Sequence, residues 1–132
     1  MRDKDEFLYE REPSLFAVQP PTLFETQKLF AACFSKLLVW LNEKGYEYTH
    51  GETWRPQEMQ DLYFRQGKTL TRHSTHTERR AADLNLFKNG VYQTTGDIFV
   101  PIGIYWKGLH GRCVWGGDFE SLKDYNHFEV AR

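Results

Sequence analysis

Cysteine is scarce in this chain, long apolar runs are missing, and charge of one sign is not in excess. The only cysteines, Cys33 and Cys113, lie far apart in sequence. Cys33 falls within an apolar helical run where a buried free thiol is the ordinary outcome, so no disulfide is expected. Nowhere is there an uninterrupted apolar stretch of about 18 residues, and the opening Met1-Arg2-Asp3-Lys4-Asp5-Glu6 is followed by no apolar segment of the signal-peptide kind. A product made and kept soluble in the cytoplasm is therefore expected, with no stable membrane association. Lysine plus arginine number 17 against 18 acidic residues, so no basic field gathers phosphates or anionic lipid. No cysteine-histidine finger spacing occurs either, and nucleic acid is set aside as a partner.

What is present suits one globular domain. The 132 residues suffice for a core, and the 40% hydrophobic and 16% aromatic content supplies bulky groups to fill it. Residues 1–21 are charged and then punctuated by Pro13, Pro20 and Pro21, which reads as an N-terminal arm ahead of a domain over 22–132. Thr22 and Glu25 form a capping-box pattern, and Phe30, Phe34, Leu37, Leu38 and Leu41 recur at helical spacing up to Gly45. A short β-prone stretch at 46–50 precedes Trp54-Arg55-Pro56, which opens a second helix with Met59, Leu62 and Tyr63 as its buried side. A polar loop over 68–78 leads into a strand at 81–87, and Asn89-Gly90 turns it into Val91-Tyr92. Ile98, Ile102, Tyr105 and Leu109 predict a third helix, and glycines at 111, 116 and 117 lead to a last strand at 126–130. This order does not alternate as a doubly wound sheet does. It predicts an α+β fold, a small mostly antiparallel sheet with helices packed on it.

Two segments carry chemistry. Ser74-Thr75-His76 places a histidine in the polar loop, and Asp83 lies just inside the apolar strand that follows. Asp124-Tyr125-Asn126-His127 adds a second histidine with an acid three positions before it. A carboxylate among apolar strand residues requires a compensating cation or donor set, since burying it alone costs several kcal/mol, roughly. Two imidazoles and one carboxylate form a ligand set suited to zinc with one position open to water. Hydrolysis at such a centre needs a further group to move protons, and Asp124 and Glu129 both qualify. Each residue also has an ordinary reading. His50, His73 and His110 read as surface or core histidines, Asp83 as a helix cap or a partner of Arg79 or Arg80, and Asp124 as a turn residue.

At these residues the chain resembles the M15 family of zinc peptidases, which contains D-alanyl-D-alanine carboxypeptidases, dipeptidases and phage L-alanyl-D-glutamate endopeptidases. Ser74, His76, Ala81 and Asp83 meet the family's first motif, and Asp124 with His127 meets its second. Arg55 and Gln60 match an upstream arginine and glutamine, and Trp115-Gly116-Gly117 is similar to the turn before the last motif. The resemblance implies that His76, Asp83 and His127 hold Zn2+, that Asp124 is general base and acid, and that Arg55 stabilises the oxyanion. It also implies that Ser74 contacts substrate, with His73 close enough to join it. Two departures stand out: Asp124 replaces the glutamate of many members, as in the phage endopeptidase branch, and Arg79 occupies a position where glycine is usual. The expected activity is peptidoglycan stem-peptide hydrolysis, foremost L-alanyl-D-glutamate endopeptidase of phage or prophage endolysin type. D-alanyl-D-alanine carboxypeptidase and a non-catalytic wall-binding or phage structural module are the alternatives. A monomer acting at the cell wall or periplasm after release is expected.

Overall fold

The structure, a computed structural model, describes residues 19–132. The expected arm lies outside the described residues except for its last three positions, which belong to no helix or strand. Helix α1 spans Leu23–Lys44, and both halves of its capping box form: Thr22 Oγ1 accepts from the Glu25 amide, and Glu25 accepts from the Thr22 amide. It stops at Gly45, whose φ of 79° is a left-handed conformation that glycine adopts without a Cβ penalty. Strand β1 (Glu47–His50), helix α2 (Gln57–Arg65), strand β2 (Ala81–Lys88), strand β3 (Val91–Tyr92), helix α3 (Val100–Leu109), strand β4 (Cys113–Trp115) and strand β5 (His127–Val130) follow.

All pairings are antiparallel, in the order β1-β2-β5-β4 with β3 added to the end of β2. The expected α+β architecture is therefore observed. The Asn89-Gly90 turn forms with both residues at positive φ, and the Glu47 carboxylate accepts from both turn amides at 3.2 and 2.9 Å. Strand β2 is the hinge of the sheet. Its first three residues pair with β5 and its later ones with β1, so Asp83 stands directly opposite His127.

Alternation then separates core from chemistry. Ala82, Leu84 and Leu86 of β2, with Phe128 and Val130 of β5, face a core completed by Leu37 and Leu41 of α1 and Ile102 and Trp106 of α3. Each such large side chain contributes about 1.5–3 kcal/mol by leaving water. Trp106 Nε1 donates to the carbonyls of Val114 and Glu129, which fixes α3 across β4 and β5. Asp83, His127 and Glu129 occupy the opposite face. The sequence suggested that Asp83 is buried among Leu84 and Leu86, and the register corrects this: neighbours in a strand point to opposite sides.

Helix α2 also departs from expectation. Met59 is 38% exposed, and the one fully buried residue of α2 is Gln60. Its buried position carries an amide that finds partners in the flanking loops: Gln60 accepts from Arg55 and donates to the Thr71 carbonyl. Strand β4 was not anticipated, because three residues between glycine turns leave no periodicity to read. The two cysteines are free and buried, with the thiol of Cys33 beside that of Cys113 in the core. No helix of the described residues is long and apolar enough to cross a membrane.

Candidate metal centre and active site

Three side chains converge on the polar face. His76 Nε2 lies 3.1 Å from His127 Nδ1 and 3.2 Å from Asp83 Oδ1, and His127 Nδ1 lies 3.3 Å from the same oxygen. A tetrahedral zinc with bonds of about 2.0–2.1 Å requires its ligand atoms roughly 3.3 Å apart. The triangle matches one face of that tetrahedron, and among the described residues this is the cluster able to hold a metal ion.

Hydrogen bonds on the far side of each ring establish which nitrogen faces the centre. His127 Nε2 donates to Glu129 Oε1 at 2.7 Å, and His76 Nδ1 donates to the Thr53 carbonyl at 3.5 Å. Neutral imidazoles so engaged turn lone pairs inward, where they meet a carboxylate oxygen. Three acceptors this close need a cation between them. Without a metal a proton fills that place. Burial alone would lower the His127 pKa, but hydrogen bonds to Asp83 and Glu129 and their charges outweigh it and push it up to about 9. Burial likewise would raise Asp83, yet the two histidines hold its carboxyl down to about 2. Glu129 is also lowered, burial being outweighed by His127, Thr75 and Arg80.

Local structure delivers these groups. His76 sits in a 3-10 turn, Thr75–Glu78, whose N-cap is Ser74, with Ser74 Oγ accepting from the His76 amide. The turn ends on Arg79 in left-handed conformation, φ 58°, so the backbone shape that glycine would allow is kept with an arginine in place. Gly51 lets the β1 end run against Asp83: a Cβ there would lie 2.9 Å from the Asp83 Cβ. Gly116 does the same for the other motif, since a Cβ would come within 2.2 Å of the Asp124 carbonyl oxygen and 2.9 Å of the His127 Cβ. The Gly116 carbonyl accepts from the Asp124 amide at 2.9 Å, which ties that turn to the start of β5.

A cleft of ≈ 350 Å³ opens over the triangle, lined among others by Arg55, His73, Ser74, Phe119, Asp124 and Glu129. Asp124 is at its mouth, 51% exposed, with Oδ2 3.9 Å from His127 Nδ1. Burial against the cleft wall raises its pKa; His127 opposes the rise and the Asp83 charge adds to it. Glu129, the other acid expected to move protons, accepts through Oε1 from both His127 and Thr75 Oγ1. Arg55 donates through Nε and Nη2 to Glu52 and through Nη1 to Gln60 at 2.6 Å. Of five guanidinium N–H groups this uses three, leaving one on each terminal nitrogen for a ligand. Ser74 is engaged as a cap, and His73 is exposed on the rim. His50 and His110 stand outside the cleft lining. Sequence reading missed Glu52, Thr53 and Thr75. For Glu129 the signal was present: two residues after His127 in a strand puts it on the same face.

The family of M15 peptidases described as D-alanyl-D-alanine carboxypeptidase matches residues 67–130, a span holding His76, Asp83, Asp124 and His127. No curated protein matches the chain. Among solved structures, the Serratia marcescens L-Ala D-Glu endopeptidase ChiX is similar in fold, with a TM-score of 0.67 and 22% identity over 79% of each chain. Both motifs lie inside the matched span, so the segment that carries the site is similar to the M15 family of peptidases, and the fold is similar to that of an L-Ala D-Glu endopeptidase.

Proposed function

We propose that this chain is a zinc peptidase that hydrolyses the amide bond between L-alanine and D-glutamate in peptidoglycan stem peptides, acting at the cell wall. The observation that carries the reading is the triangle of His76, Asp83 and His127 with Asp124 3.9 Å from one corner, in a cleft open to substrate. Similarity in fold to an L-Ala D-Glu endopeptidase supports the choice of bond. So does the shape of the cleft: a carboxypeptidase needs a blind end for a terminal residue, whereas here a further hollow continues beyond Asp124.

Bound at the triangle, zinc would supply Lewis acidity that makes water easier to deprotonate and a carbonyl easier to attack. The remaining work belongs to this chain's side chains. Asp124 takes the proton of the attacking water and returns it to the leaving amine, for which its raised pKa suits it. Arg55, held by Glu52 and Gln60, offers its remaining N–H pair to the developing oxyanion. Glu129 and Thr53 hold the two rings in the orientation that ligation requires.

Incubation of the zinc-loaded protein with muropeptides, followed by mass analysis, tests the reading. Release of a new L-alanine carboxyl end is expected. Release of free D-alanine instead would establish the carboxypeptidase alternative, and intact muropeptides with zinc confirmed in the protein would remove both.

A further inference from the structure

The active-site cleft does not end at Asp124. A second hollow of ≈ 440 Å³ shares Thr69, Thr71, Phe119 and Asp124 with it and continues between the loop after α2 and the loop before β5. Leu70 and Leu122, 69% and 57% exposed, form its lips. Lys68 and Lys123 also line it. Lys123 Nζ donates to the carbonyls of Gly117 at 3.4 Å and Phe119 at 3.2 Å, and the Lys68 ammonium lies 5.4 Å above the Tyr63 ring. No carboxylate of the described residues pairs with either lysine, and neighbouring Glu120 faces solvent. Carbonyl dipoles and a ring face restrain an ammonium without cancelling its charge. The trough therefore presents two ammonium groups held in place without an ion-pair partner among the described residues.

We propose that this trough receives the amine side of the scissile bond and that Lys68 and Lys123 select a residue bearing a free carboxylate there. The inference rests on the peptidase reading above. Asp124 lies where the two hollows join and must reach the leaving nitrogen to protonate it, so the half of the substrate that departs as an amine extends past Asp124 into the trough. Exposed leucines on both lips give an extended peptide apolar cover, and the open far end admits a chain that continues. A residue that carries a free carboxylate fits both the charge and the room.

Two peptides decide this, identical except that the residue on the amine side carries either its free α-carboxylate or the corresponding amide. Wild type should favour the carboxylate in kcat/KM by about tenfold, the sum expected of two partly exposed charge contacts, with the difference residing in KM. The double variant Lys68→Met and Lys123→Met, which keeps the aliphatic stems, should bring the ratio close to one; Lys68→Arg with Lys123→Arg should retain the preference. A ratio that is unchanged in the methionine variant, or that is one in wild type, overturns the proposal. Should wild type cleave neither peptide, the peptidase reading fails by itself, and calorimetric titration with the same pair still judges the trough. Tighter binding of the carboxylate form, lost in the methionine variant, upholds it, and equal binding sinks it.

Discussion

His127 and Glu129 lie two residues apart on one face of β5, and the ring Nε2 of the first donates to the carboxylate of the second at 2.7 Å. The bond fixes the imidazole so that Nδ1 faces Asp83 and His76, and the nearby anion makes that nitrogen a stronger donor to a metal. Glu129→Gln keeps an acceptor of the same shape and removes the charge. Zinc affinity, measured by competition with a chromophoric chelator, should fall by about 10–100-fold while the fold is retained. Unchanged affinity would show that the carboxylate contributes nothing beyond filling space.

Metal uptake should expel a proton. With the His127 pKa at about 9 in the metal-free protein, Nδ1 is protonated at neutral pH and must lose that proton to become a ligand. Apparent affinity should rise about tenfold per pH unit between 6.5 and 9 and then level off. Stability of the metal-free protein runs the other way. A pKa raised above the unfolded value gives stability that is complete below about 6.5 and lost as pH climbs through 9, on the order of 3 kcal/mol. Asp83, lowered to about 2, gives stability that is present above about 4 and lost as pH falls through 2. Thermal melts of metal-free protein should therefore be highest between about pH 4 and 6.5. A melting temperature that does not fall from pH 6.5 to 9 would mean that His127 is neutral without metal.

How much of this was legible in the sequence depends on the range of the interaction. Helix α1 and the Asn89-Gly90 turn are set by local chemistry, a capping box and two positive-φ residues, and both were readable. The convergence of His76, Asp83 and His127 was expected from their residue types and the resemblance, and the three do meet. The opposition of Asp83 and His127 was not readable, because it follows from strand register across 44 residues of sequence. The buried side of α2, expected at Met59, Leu62 and Tyr63, differs for a related reason: Gln60 is buried because Arg55 and the Thr71 carbonyl meet it there, which hydrophobic periodicity does not encode. Glu52 and Thr53, which hold Arg55 and the His76 ring, likewise lie in a loop whose position only the folded chain fixes.

Asp124→Asn separates proton transfer from assembly of the centre. The amide has the same shape but accepts no proton at working pH, so kcat on the peptide substrate should drop by about 10²–10⁴-fold. Zinc content should not change, because Asp124 is not a corner of the triangle. Substantial turnover in this variant would move the proton-transfer role to another group, with Glu129 the first to examine.

Arg79 stores strain in the turn that presents His76. An L-residue at φ 58° costs about 1–2 kcal/mol relative to its usual conformations, and the guanidinium, 4.5 Å above the Trp54 ring, returns about 0.5–1 kcal/mol. Arg79→Ala keeps the strain and discards the ring contact, so it should lower stability by about 0.5–1 kcal/mol. Arg79→Gly discards the contact too, but relieves the strain at a cost of about 0.5–1 kcal/mol in unfolded-chain entropy, and should fall within about 1 kcal/mol of wild type. Urea denaturation should rank glycine at or above alanine at this position. If alanine proves the more stable of the two, residue 79 does not adopt a left-handed conformation in solution, and His76 must be presented by a differently shaped turn.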